Sequence, residues 1–181
     1  MNKILPPLVL AAALLAAALG TGSWEWAVGA AAASGDTELA REARDRAQID
    51  GLMWRYVRAL DTLNADAYAD CYTADGRFGS GARAGTGRAG LKKIITDVQH
   101  RRAEAQARGE KSPKMYHVIT NPNLVFKDHD HARLYSYWMT VFAAVDEKSQ
   151  PRVAAVGWST DDLVRVAGHW LIQVRDVAPA D

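Results

Sequence analysis

Residues Trp54–Phe78 read WRYVRALDTLNADAYADCYTADGRF, and their pattern decides the fold. Together with the residues just upstream they place Ile49, Leu52, Met53, Tyr56, Val57 and Leu60 at three- and four-residue spacing. That spacing is one buried face of a helix, and the pattern predicts a helix over Thr37–Leu63. Its first turns are charged, with Glu38, Arg41, Glu42, Arg44, Asp45 and Arg46. Met53, Val57 and Asp61 fall at successive four-residue steps, so the core-facing stripe ends on a carboxylate. Asn64 fits the N-cap of a second short helix, Ala65–Tyr72, because its side chain can accept from a free amide of the first turn. Asp75-Gly76 then turns the chain into a strand at Arg77-Phe78.

Working outward towards the N-terminus, Ile4–Gly20 is an apolar run behind the single charge of Lys3, followed by small residues at Val28–Ser34. The pattern is that of a secretory signal peptide cleaved near Ala33. A retained membrane anchor is the alternative, with Trp24 and Trp26 at a bilayer interface. Residues 1–35 are thus expected to be signal peptide and linker, and residues 36–181 one mature domain, periplasmic or secreted, with no membrane span after processing. No cysteine directly follows the run, which argues against a lipoprotein.

The 181 residues carry 22 Lys+Arg against 21 Asp+Glu and are 49% hydrophobic. This balance leaves no basic face for nucleic acid; Lys92, Lys93, His100, Arg101 and Arg102 read as the solvated side of an amphipathic helix. The lone Cys71 excludes an intrachain disulfide and any multi-cysteine zinc site, and its flanks suit a small apolar packing residue. Gly79–Gly90 (GSGARAGTGRAG) lacks the lysine-serine/threonine ending of a phosphate-binding loop and reads as a connection. It leads into a third helix, Leu91–Ala107, which glycine and proline end at Arg108–Pro113.

Towards the C-terminus, Met115–Lys127, Ala132–Val145, Arg152–Val166 and His169–Val177 are rich in β-branched and aromatic residues. Tight turns at Asp128–Asp130 and Ala167-Gly168 and a longer loop at Asp146–Pro151 separate them, and Pro122 marks a bulge. Helices followed by a run of antiparallel strands predict an α+β domain with its helices on one face of a curved sheet.

In order and motif the chain resembles the SnoaL-like, polyketide-cyclase-like branch of the nuclear transport factor 2-like superfamily, near scytalone dehydratase and the bile-acid dehydratases. The matching pieces are RYVRALDTLNADAYADCYTADGRF, GRAGLKKII, HVITNPNLVF, ARLYSYWMTV and the closing pair DDLVR and GHWLIQVRDV. The resemblance implies a cone: a strongly bent antiparallel sheet wrapped by three N-terminal helices around an apolar pocket. It also implies a homodimer or homotrimer, and acid–base chemistry on hydrophobic substrates with neither metal nor organic cofactor. A shared fold does not fix the reaction.

Four residues are expected to be catalytic. A carboxylate in an apolar cavity, Asp61, is a usable general base. His117 can pass a proton to a leaving hydroxyl near neutral pH, and the resemblance puts it in the place of the catalytic histidine of scytalone dehydratase. Tyr56 and Tyr72 could polarise a substrate carbonyl; core packing is the alternative for each. Asn121, Trp138, Trp158 and Phe142 are expected to contact the substrate. Arg152, Arg165 or Arg175 could hold a substrate carboxylate or phenolate, or pair with Asp161, Asp162 or Asp176.

The second histidines of the dehydratases are missing here, with Phe142 and Thr120 at those places. His129 and His131 read as a solvent-exposed turn and not as a metal pair. The sequence therefore points to a lyase of dehydratase or C–C lyase type, acting on a small, aromatic or polycyclic substrate. The alternatives are a ketosteroid-isomerase-like enzyme and a non-enzymatic periplasmic binding or assembly module. In the last case the strand bearing Tyr135, Tyr137 and Met139 would supply the interface.

Overall fold

In the computed structural model the described residues are 21–80 and 84–178, with side chains from residue 37 onward. The apolar run at 4–20 lies outside them. The chain divides into two units, Met1–Arg44 and Asp45–Asp181. In the first, Arg41 pairs with Glu38. The fold that carries the site is the second.

Helix α1 spans Thr21–Asp61, starting well before the predicted Thr37 and taking in Val28–Ser34. Among the described residues, no helix is long and apolar enough to cross a membrane. The expected stripe is the buried one: Ile49, Leu52, Met53, Tyr56 and Val57 join the core. The helix ends in a Schellman closure, with Asn64 N–H donating to the Ala59 carbonyl at 2.8 Å and Leu63 N–H to that of Leu60 at 3.1 Å. Leu63 takes the left-handed conformation this closure needs, φ 55°, where glycine is usual. Gln99 caps the Leu63 carbonyl at 2.9 Å. Asn64 then caps α2 (Ala65–Ala69) by accepting from Ala67 N–H at 3.0 Å.

Strand β1 runs Tyr72–Phe78, five residues earlier than the turn signal suggested. The glycine-rich segment supplies a two-residue strand, β2 (Gly85–Thr86), and helix α3 starts at Gly87 and runs to Ala107, one turn before the predicted Leu91. Gly85 is required for close packing: a Cβ there would lie 2.7 Å from both the Gly90 carbonyl oxygen and Ile94 Cδ1. Four long strands follow, β3 (Met115–Phe126), β4 (His131–Phe142), β5 (Arg152–Val166) and β6 (His169–Asp176), close to the predicted boundaries.

The strands form one curved, unclosed sheet in the order β2-β1-β6-β5-β4-β3. The four long strands pair antiparallel in sequence order, as expected. The β1–β6 ladder alone is parallel; β2, α3 and β3–β5 lie between the two strands in sequence, so no hairpin joins them. Inward-facing Ala132, Leu134, Leu163, Trp170 and Ile172 meet α1, Tyr68 and α3's Leu91 and Ile95 in a single core.

At one end of the core an ion pair replaces apolar packing. Buried Asp45 receives Arg165 at 2.6 Å and the Trp170 indole N–H at 3.3 Å, while Arg165 lies over the Trp170 ring at 4.7 Å. Removing one partner of a buried pair leaves the other charge uncompensated, so Asp45→Ala should cost about 3 kcal/mol. Urea unfolding of both proteins checks this, and a loss below about 1 kcal/mol would contradict it.

Candidate active site

The end of α1 meets the start of β3 at one carboxylate. Asp61 Oδ1 accepts the His117 backbone N–H at 2.9 Å and faces His117 Nδ1 at 2.9 Å. β3 is the edge of the sheet, so its outward N–H groups have no strand to bond, and Asp61 satisfies one of them. A carboxylate at a helix C-terminus is opposed by the helix dipole; two N–H donors from one histidine offset that. An ionised carboxylate only accepts, so Nδ1 carries the proton and Nε2 keeps the lone pair.

His117 lines a cavity of about 390 Å³, at the small end of the range for ligand pockets. Its wall is mostly apolar: Leu60, Phe78, Ile94, Ile119, Ala155, Val177 and the ring of Trp138. Trp138 is locked, since its indole N–H donates to the carbonyls of Trp158 and Val177, both at 3.1 Å. Its ring lies flat on Gly157, where a Cβ would come within 2.7 Å of the indole. Only Gly157 permits that rotamer.

Tyr56 and Tyr68 also line the cavity. Tyr68 is held by Tyr72 behind it, hydroxyl to hydroxyl at 3.1 Å, and the three rings pack together with centroids 5.3–6.3 Å apart, Tyr56 edge-on to Tyr72 and the other two pairs tilted. Burial pushes all three phenols above their ordinary range, so each remains a hydroxyl donor.

The Arg175 guanidinium sits 4.7 Å over the Tyr56 ring, and Arg175 too is on the cavity wall. Arg175 is 2% exposed and Asp161, its partner at 2.5 Å, 0%. Burial pushes Asp161 up to about 6, with Arg175 opposing.

Of the eight residues singled out from sequence, Tyr56, His117 and Trp138 line the cavity, and Asp61 and Tyr72 stand directly behind it. Three fall outside. Asn121 is exposed at the β3 bulge with φ 51°. Trp158 pairs with exposed Tyr137 on the opposite face of the sheet. Phe142 lies beneath the Arg152 guanidinium at 4.9 Å. Tyr68 and Thr140 were not singled out and are on the wall; of the three late-strand arginines, Arg175 is the one on the wall, and it pairs with Asp161.

Cys71 is buried, its thiol donating to the Ala67 carbonyl at 3.3 Å, and burial pushes it up to about 11, which suits packing and not nucleophilic attack. His131 is exposed and bonded to Asp128 within its turn. Among the described residues, no group of three or more His, Cys, Asp or Glu is placed to hold a metal.

The profile of the SnoaL-like domain family matches residues 41–176. The chain belongs to that family. No curated protein sequence matches it significantly.

Solved structures resemble the SnoaL-like domain at low identity. A nuclear transport factor 2-like protein with a cystatin-like fold from Novosphingobium aromaticivorans superposes with TM-score 0.67 at 19% identity, over 82% of this chain and 90% of its own. ActVI-ORFA from Streptomyces coelicolor gives 0.61 at 22%, over 74% and 95%. A scytalone dehydratase-like protein of N. aromaticivorans gives 0.60 at 18%, over 76% and 85%. At these identities the likeness is one of fold.

The Asp161 proton is bound more tightly in the folded SnoaL-like domain than in the unfolded chain. Its contribution to stability is therefore full below the ordinary carboxylate value of 3.8 and is lost as pH rises through about 6. The wild type should lose stability relative to Asp161→Asn, whose amide does not titrate, across that interval. Thermal melts of both proteins over the interval test this; a constant difference would contradict it.

Proposed function

We propose that this SnoaL-like domain is an acid–base lyase for a small hydrophobic, aromatic or polycyclic ketone, with dehydration as its reaction. The observation that carries the reading is the Asp61–His117 contact at 2.9 Å on the wall of an apolar cavity. Asp61 fixes the tautomer in which Nε2 is the base, and stabilises the imidazolium once Nε2 has taken a proton.

Nε2 removes a proton α to the substrate carbonyl, and the C–H electron pair becomes the enolate double bond while charge moves onto oxygen. Tyr56 and Tyr68 donate hydrogen bonds to that oxygen. The enolate then expels the β-hydroxyl, which leaves as water with the proton held on Nε2. One imidazole both takes and returns the proton, so a second histidine is not needed. The apolar wall and the Trp138 ring favour a flat ring system.

We also propose export of the domain, on the pattern of the apolar run at 4–20, and self-association through the outer face of β3–β5. There Val118, Met139 and Val156 align in one row and Thr120, Tyr137 and Trp158 in the next, with Val156 69% and Tyr137 57% exposed. An apolar row of this kind on an open sheet is what a second copy would cover. Val156→Lys should shift a dimer to monomer in sedimentation velocity. A wild-type monomer at high concentration would contradict self-association.

Dehydration of a β-hydroxytetralone yields a fluorescent naphthol and gives a direct assay. Removing a general base costs about a hundredfold or more, so His117→Ala should lose at least that in kcat and Asp61→Asn nearly as much. If both variants dehydrate the ketone at the wild-type rate, the dyad has no part in the chemistry.

A further inference from the structure

Where the sheet faces the cavity, His117, Thr140 and Ala155 form one row across it. His117 on β3 pairs with Thr140 on β4, and Thr140 with Ala155 on β5. All three line the cavity. Cross-strand partners share a face of the sheet, with Cβ atoms about 4.5–5.5 Å apart, so the Thr140 side chain stands beside the imidazole. The alternation of the strand agrees: Met139, one residue earlier, is in the outer row with Val118 and Val156.

Among the described residues, nothing hydrogen-bonds the Thr140 hydroxyl. It is not sealed in as the unpartnered Arg175 Nε is, because Thr140 is only half-buried. The other hydroxyls on the wall are placed differently. Tyr68 is bonded to Tyr72, Tyr56 to Tyr68 and Arg175, and Ser80 is exposed. A threonine hydroxyl both donates and accepts. This matters at the moment the leaving group departs. Once Nε2 has taken the α-proton it can only donate, so the O–H of a β-hydroxyl held there must find its acceptor elsewhere. On this apolar wall Thr140 Oγ1 is the open acceptor next to the imidazole.

We propose that Thr140 holds the leaving hydroxyl of the substrate beside His117, and so discriminates a β-hydroxy ketone from the same ketone without the hydroxyl. The inference rests on the acid–base reading of the cavity and assigns the site of the leaving group. Thr140 transfers no proton. The imidazolium returns the α-proton to the β-oxygen, the C–O bond breaks with its electron pair going to that oxygen, and water leaves while still bonded to Thr140 Oγ1.

The test is equilibrium binding by calorimetry of two probes, tetralone and β-hydroxytetralone, to the full chain carrying His117→Ala, which holds the hydroxyketone without turning it over. With Thr140 in place the hydroxyketone should bind at least as tightly as tetralone, because the new hydrogen bond offsets the water that the hydroxyl gives up. Adding Thr140→Val, which keeps the shape and removes the hydroxyl, should weaken the hydroxyketone at least about fivefold, the cost of an O–H left without a partner, and change tetralone by less than about twofold. Thr140→Ser should keep the preference of the threonine protein.

Weaker binding of the hydroxyketone than of tetralone to the threonine protein overturns the proposal, and so does the failure of both probes to bind. A valine protein that weakens both probes equally, or neither, overturns it too, as does a serine protein that behaves like the valine one. Should Thr140→Val fail to fold, Thr140→Ala takes its place with the same expected outcome. Because no turnover is measured, the two readings fail separately. If the chain with His117 intact dehydrates nothing, the lyase reading falls and the hydroxyl site stands; if it dehydrates the ketone but Thr140→Val leaves the preference unchanged, only the assignment of Thr140 falls.

Discussion

Everything at the site depends on one carboxylate that has two jobs. Asp61 ends α1 and accepts both the backbone N–H and the ring Nδ1–H of His117. The first bond satisfies an open donor on the edge strand, and the second sets the imidazole tautomer. Closure of the fold and the tautomer of the imidazole thus come from the same oxygen. The Schellman turn that follows, with Leu63 held at φ 55°, directs the chain into α2 immediately after Asp61. A left-handed leucine is mildly strained, and strain of this kind persists where the surroundings over-determine it; here the Gln99 side chain binds its carbonyl.

Another part of the wall, with the residues behind it, is built from groups that are costly to bury. Three phenols, a guanidinium and Asp161 lie in a region where water cannot solvate them. Packing a hydrophobic side chain at position 161 or 175 would be the cheaper way to stabilise the sheet. The arrangement makes sense as a preorganised polar patch: Tyr72 orients Tyr68, Asp161 and Tyr56 orient Arg175, and the apolar remainder of the cavity strengthens each donor. Fixed donors and an imidazole whose tautomer Asp61 sets thus share one cavity.

The parts of this fold legible in sequence were those governed by an unbroken period. The α1 stripe predicted its buried face residue by residue and led to Asp61. The four long strands were bounded nearly correctly by their turns. Partnership of Asp61 with His117 did not follow from spacing, because nothing in a helical period says which strand lies beside its end; the family resemblance supplied it. The misplacements come largely from bulges and register, since one extra residue in a strand reverses every later side chain.

On β3 the shift between Thr120 and Asn123 moves the inward face from Ile119 to Leu124 and leaves Asn121 outside. On β6 the ladder steps from Ile172 to Val174 against Leu163 and Asp162, which turns Arg175 inward although simple alternation from Trp170 and Ile172 would put it outside. Trp158 was misplaced for want of cross-strand register: Trp138 opposes Gly157, so Trp158 must face the other way. The bulges thus set which polar groups reach the cavity, and they are the features that a single sequence marks least clearly.

The central claim is that Asp61 holds His117 with its proton on Nδ1 and its lone pair on Nε2. Long-range nitrogen–proton NMR of the histidine rings in the full-length protein, at a pH where His117 is neutral, measures that tautomer directly. The account predicts a protonated Nδ1 and an unprotonated Nε2 for His117 in the wild type, with the preference lost in Asp61→Asn. A wild-type His117 protonated on Nε2 would contradict it.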